Sequence, residues 1–248
     1  MVLKNHVVTT ADRAWFCRRH VEGIKVFGGI VLNYAVGAIN PSAVNWMWRM
    51  LGGYGRMVWF PTFDADNHVK HFHDGPGGIK VLGEDGKVTP EAINVLKICA
   101  RQQLVVNTGH ISAAEGLAII AAARDVGADR IVVTHVQSEV PNFSLGQMKK
   151  AAAMGAKLEL IASGPLFGPE AQLKWMRAWR QVRVQETVQV IKAVGAENFV
   201  LGTDLGAAGS PTPADGMATF VTELMAEGVT RNEIILMGRE NPGKLLMG

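Results

Sequence analysis

The chain is poor in the features that mark several protein classes. Its 248 residues hold two cysteines, Cys17 and Cys99, far apart and outside any C-x-x-C spacing. No disulfide framework is expected, and buried thiols in a reducing compartment are the reading. No run of five Lys or Arg occurs, and the formal net charge is only +3. Nucleic acid would find no basic patch to bind. Charged residues make up 19% of the chain, against about 25% in ordinary domains. The start, Met1-Val2-Leu3-Lys4-Asn5-His6, has no basic stretch followed by an apolar one, so it does not read as a signal peptide. The uncharged run 26–48 is broken by Asn33, Asn40, Pro41, Ser42 and Asn45. It reads as strand, loop and helix start, not as a membrane span. A soluble, cytoplasmic protein that binds neither nucleic acid nor membrane is the expectation.

What is abundant is apolar: 48% of the residues are hydrophobic. Short β-branched runs alternate with helical segments along the whole chain. Strands are predicted at residues 1–8, 24–32, 56–62, 104–108, 130–134, 157–162 and 198–202. Helix starts are marked by Asn40-Pro41, Thr89-Pro90, Ser112 with Glu115, Ser144 with Gln147, Thr212-Pro213 and Thr230 with Glu233, which are capping residues and first-turn prolines. One long helix is predicted over 169–194. Its Lys174, Arg177, Arg180 and Arg183 fall at steps of three and read as a solvated face. Residues 63–88, rich in Gly, Asp and His, read as an irregular insertion with a small hairpin around Glu84-Asp85-Gly86.

Strict strand–helix alternation predicts an α/β fold with a parallel sheet covered by helices. No linker or composition break interrupts it, so residues 1–248 read as one domain. The length suits a (β/α)8 TIM-barrel-like fold, which needs about 250 residues, although seven strands are recognisable where a closed barrel has eight.

In parallel barrels the active site lies at the carboxyl ends of the strands. Four runs here end in chemically capable residues: Val2-Leu3-Lys4-Asn5-His6, Leu104-Val-Val-Asn-Thr-Gly-His110, Arg130-Ile-Val-Val-Thr-His135 and Asn198-Phe-Val-Leu-Gly-Thr-Asp204. Lys4 and His6, two apart, share one face of an extended segment. Two imidazoles and a carboxylate suit a divalent transition metal with an open coordination position. Such an ion lowers the pKa of bound water and polarises a carbonyl.

These segments carry a resemblance. VVNTGHIS, RIVVTHV and FVLGTDLG are similar to the fifth, sixth and eighth strands of the amidohydrolase superfamily of metal-dependent hydrolases, and ENPGKLLMG resembles its final helix. The resemblance, nearest to a poorly characterised branch, implies a distorted barrel. It implies that His110, His135 and Asp204 bind metal and that Asp204 is the general base. Superfamily members open with a His-x-His strand. On this alignment the chain starts at the second strand, so the first βα unit is expected to be missing. The fourth-strand lysine of binuclear members is also absent, the run ending Phe60-Pro61-Thr62-Phe63-Asp64. One ion is therefore expected, zinc first, with manganese or iron as alternatives, unless Lys4 substitutes for that lysine.

His68, His71 and His73 form a separate cluster. It reads either as a lid-like loop over the barrel mouth or, through His71 and His73, as a replacement for the missing pair. Lys4 could orient a substrate carboxylate, become carboxylated, form a Schiff base or simply pair with an acid. His6 would contact substrate or shuttle a proton. The expectation is a metal-dependent hydrolase in which activated water attacks an amide, lactone or ester-like carbonyl of a small molecule, with Asp204, Lys4 and His6 as catalytic residues. A homo-oligomer is expected. The alternatives are a non-catalytic or N-terminally incomplete barrel that binds metal or ligand, and a metal-assisted decarboxylase on the same scaffold.

Overall fold

Helices begin where the capping residues stand. In the computed structural model, which describes residues 1–72 and 77–248, the Asn40 side chain accepts from the Ser42 and Ala43 N–H groups. Ser112 and Glu115 cap each other's backbone N–H groups, and Thr230 and Glu233 do the same. The chain gathers into two compact units: residues 1–133 with 154–156, and residues 134–153 with 157–248.

The first unit holds α1 (Ala11–His20), β1 (Gly28–Val31), α2 (Pro41–Arg49), β2 (Gly55–Trp59), α3 (Asp66–Phe72), α4 (Pro90–Gln102), β3 (Val105–Asn107), α5 (Ala113–Asp125) and β4 (Ile131–Val133). The four strands pair in sequence order, all parallel. β1, β3 and β4 are buried along their whole length, as expected of parallel strands covered on both faces. Phe60, Leu96, Leu104, Ile119, Ile120 and Ile131 are among the large side chains fully buried in this unit.

Two stretches of the first unit differ from the expectation. The run 1–8 forms no full strand. Val2 makes a parallel bridge to Phe27, and Leu3 N–H donates to the Phe27 carbonyl at 2.8 Å. Beyond that, Asn5 Oδ1 accepts from the Val7 and Val8 N–H groups, a side-chain turn that competes with the ladder. The stretch 63–88 is not irregular throughout, because α3 lies inside it. Asp66 in its first turn and Lys70 one turn later form an ion pair at 2.7 Å, which the 3.6-residue repeat brings together. The small hairpin is present, with Leu82 bridging Val88 antiparallel and Gly83 N–H donating to the Lys87 carbonyl at 2.8 Å.

The second unit holds α6 (Leu145–Ala153), β5 (Lys157–Ile161), α7 (Val184–Val194), β6 (Phe199–Gly202), α8 (Pro213–Ala226), α9 (Arg231–Ile235) and α10 (Asn241–Met247). β5 and β6 run parallel, Leu158 opposite Phe199 and Ile161 opposite Gly202. The long helix predicted over 169–194 is replaced by a short 3-10 helix, Lys174–Ala178, and then α7. Leu173, Met176 and Trp179 explain this. Spaced by three, they fit the three-residue turn of a 3-10 helix, and they pack with Ile161, Phe167 and Ala171. The four basic residues therefore share no α-helical face. Arg180 instead pairs with Glu186 at 2.8 Å. Among the described residues no helix is long and apolar enough to cross a membrane.

Candidate functional site

A parallel strand delivers its last side chains to the carboxyl edge of the sheet, where ligands bind in such folds. In the first unit β1 leads to Asn33, β2 to Thr62 and Phe63, and β3 to His110. Asn33 and Thr62 are buried and hold each other twice. The Thr62 N–H donates to Asn33 Oδ1 at 2.8 Å, and Asn33 Nδ2 donates to Thr62 Oγ1 at 2.9 Å. Asn33 Nδ2 also donates to the His6 carbonyl at 3.2 Å. The His6 ring then rests on the same pair, its Nδ1 lying 2.8 Å from Thr62 Oγ1. It stacks on Phe63 with ring centroids 4.1 Å apart. The Lys4 Nζ lies 5.9 Å from the centre of the Trp59 ring. Both side chains of the Lys4-Asn5-His6 segment thus meet the end of β2, as their i, i+2 spacing predicts.

His110 is placed by a glycine. Gly109 has φ +69, and a Cβ there would run into the Phe60 and Pro61 carbonyl oxygens. Only glycine makes this left-handed turn against the backbone without strain. The turn lets His110 N–H donate to the Pro61 carbonyl at 2.9 Å. His110 is 3% exposed, and its Nδ1 lies 2.9 Å from Nδ1 of His68, itself 5% exposed. Between two neutral imidazoles at that distance one Nδ1 donates and the other accepts. α3 is fastened to the same loop by the preceding residue, since Asn67 Nδ2 donates to the His110 carbonyl at 3.1 Å. Phe63 is the apolar hub, its ring 5.4 Å from His68 and 5.6 Å from His110. The start of α3 is stabilised electrostatically. Burial pushes the Asp66 carboxyl up, but Lys70 and the Gly78 N–H outweigh it and hold it below the usual carboxylate range.

In the second unit His135 is buried, and its N–H donates to Glu159 Oε2 at 3.1 Å. Its ring meets Trp179 edge-on at 6.4 Å. Glu159 sits on β5 between Leu158 and Leu160, where an acid breaks an apolar run. Asp204, just beyond β6, has φ +49. This is uncommon for a residue with a side chain, though aspartate tolerates it, and such backbone strain concentrates at functional positions.

The first unit therefore brings together Lys4, His6 and His110, all three expected from the sequence, and adds His68, Asn33 and Thr62, which strand-end spacing does not single out. His71, on the same helix, is exposed and touches Phe72, with ring centroids 4.6 Å apart. His73 lies outside the described residues, and with it the idea that His71 and His73 replace a missing ligand pair. Among the described residues, no group of three or more His, Cys, Asp or Glu side chains is assembled to hold a metal ion.

Compared with known protein families, residues 1–159 match one described as a family of unknown function, DUF6282. Several solved structures have a similar fold. An amidohydrolase from Pseudomonas aeruginosa superposes with a TM-score of 0.54 at 12% identity, over 78% of this chain and 64% of that one. The dipeptidase AC, a metallopeptidase of family M19, gives 0.61 at 14% identity, over 99% of this chain and 68% of that one. An N-acetyl-D-glucosamine-6-phosphate deacetylase from Mycobacterium smegmatis gives 0.57 at 17% identity, over 96% and 60%. The chain thus spans less than two thirds of the first and third of these proteins. At such identities the likeness shows the fold, α/β and TIM-barrel-like, the architecture of amidohydrolase-superfamily structures. A comparison with curated proteins finds no match.

Proposed function

The chain belongs to the DUF6282 family of unknown function, and from its site we propose that it is a metal-dependent hydrolase acting on an amide, lactone or ester-like carbonyl of a small molecule. The observation that carries this reading is the buried contact of His68 with His110 at the carboxyl end of β3. Imidazoles that bind metals are commonly held through their other ring nitrogen by a hydrogen-bond partner. His68 engages Nδ1 of His110 and would in this way orient the ring as a metal ligand. The proposed ligands are His110, His135 and Asp204, as the superfamily resemblance implies. Two imidazoles and a carboxylate are a donor set suited to zinc, manganese or iron. When bound, one such ion would lower the pKa of water and polarise a carbonyl.

The chain's own residues divide the remaining work. Asp204 takes the proton of the attacking water, which makes it the general base. The Lys4 ammonium holds a substrate carboxylate at the end of β2. His6, steadied on Thr62 and Phe63, meets the substrate oxygen. Phe63 and Trp59 give these polar groups an apolar backing, which strengthens their electrostatic effect on a bound substrate.

The test is hydrolysis of a panel of small amides, lactones and esters by metal-replete protein. Asp204→Asn should lower turnover by roughly 100- to 10,000-fold, the usual contribution of a positioned base, and His71→Ala should leave it unchanged. Carbon dioxide release without hydrolysis, or full activity in Asp204→Asn, overturns the proposal.

A further inference from the structure

The hydrogen bonds around Asn33 decide which nitrogen of His6 carries the proton. A backbone N–H can only donate, so the Thr62 N–H at 2.8 Å fixes the near atom of the Asn33 amide as its oxygen. The other end is then the NH2 group. Its two protons are spent on the His6 carbonyl at 3.2 Å and Thr62 Oγ1 at 2.9 Å. Thr62 Oγ1 is therefore an acceptor towards Asn33. It still has a proton of its own, in a fully buried position, and a buried hydroxyl proton left without an acceptor is costly. Among the described residues the acceptor in reach is His6 Nδ1, at 2.8 Å.

We propose that Asn33 and Thr62 are positioning residues that lock neutral His6 as the tautomer protonated on Nε2, so that His6 serves the site as a hydrogen-bond donor to a carbonyl or carboxylate oxygen. The direction of donation runs Thr62 N–H to Asn33 Oδ1, Asn33 Nδ2–H to Thr62 Oγ1, and Thr62 O–H to His6 Nδ1. The Nε2–H lies on the ring edge opposite Thr62. The stack on Phe63 holds the ring plane, at 24° to the phenyl ring. His6 Nδ1 is thereby occupied, and neither ring nitrogen is offered as a base. The donor role towards substrate rests on the hydrolase reading above. The tautomer does not.

The experiment is nitrogen NMR of the full chain labelled at histidine, recorded above the pH range in which histidine titrates, with His6→Gln to assign the signals. A pyridine-like Nδ1 and a pyrrole-like Nε2 are expected for His6. Asn33→Asp reverses the chain of donors. Its carboxylate accepts the Thr62 hydroxyl proton, Thr62 Oγ1 turns acceptor towards His6, and the two nitrogen signals should exchange character. Thr62→Ser should keep the wild-type pattern, and Thr62→Val should lose the preference. A circular-dichroism melt for each variant separates misfolding from re-tautomerisation. A pyrrole-like Nδ1 in the wild type, or a pattern unmoved in folded Asn33→Asp, overturns the proposal. Absence of hydrolytic activity would leave these spectra as they are and would count against the hydrolase reading alone.

Discussion

His110 owes its place to the residue before it. Gly109 is the point at which the chain leaves β3, turns left-handed and passes against the Phe60 and Pro61 carbonyls. Gly109→Ala forces a side chain into φ +69, a strain of about 1–3 kcal/mol before the collision is counted. The expected result is a lower urea midpoint together with loss of the fixed His68–His110 contact, read as altered imidazole NMR signals. An unchanged midpoint would show that the backbone can yield there. The positions of His110, His135 and Asp204 just past β3, β4 and β6 are legible in the sequence because each follows an apolar run at the point where a strand must end. Lys4 and His6 were legible from their i, i+2 spacing. His68 was not. It stands in a stretch whose density of Gly, Asp and His reads as loop, and only the Asp66–Lys70 pair and the packing of its ring against Phe63 and Phe72 reveal a helix. Glu159 is hidden in the sequence because its strand reads by its leucines. Asn33 and Thr62 carry no reactive group, and their role lies in the direction of hydrogen bonds that no spacing encodes.

At the scale of elements, capping residues were the most dependable signal, because a cap satisfies backbone groups locally and needs no tertiary partner. Periodicity was dependable only where one period was available. The steps of three in 173–180 fit a 3-10 turn as well as an α-helix face, and the packing of buried Met176 with the partly buried Leu173 and Trp179 decides for the tighter turn. The cap of α9 makes a prediction about pH. The Thr230 N–H, with Lys192 and the Thr230 hydroxyl, draws the Glu233 carboxyl from its ordinary 4.5 down to about 2. A carboxyl whose pKa is lower in the folded than in the unfolded chain contributes stability above the unfolded value. That contribution fades as pH falls towards the folded value. Between about 4.5 and about 2 the wild type should therefore lose stability with acid. Glu233→Gln should show a shallower loss over that window in denaturant titrations at stepped pH, and an equally steep loss would contradict the assignment.

At the scale of the whole molecule, the alternation of apolar runs and capped helices made the α/β class readable from the sequence alone. Burial explains why: strands covered on both faces read as continuously apolar, and α2, α4, α5, α8 and α9 each start at a side-chain cap. The gathering of the chain into two compact units left no trace in composition, since no linker marks it and the apolar content stays high across the boundary. In the proposed function, His110, His135 and Asp204 would hold the ion, and His68 from α3 would orient the first of them through its buried contact. Elemental analysis of the purified chain after loading with zinc and exhaustive dialysis tests this most directly. One ion per chain is expected in the wild type, none retained by His110→Ala, and binding weakened by about 10- to 100-fold in His68→Gln, the usual effect of losing the partner that orients a ligand. A wild-type chain that retains no metal, or a His110→Ala chain that retains as much as the wild type, would contradict it.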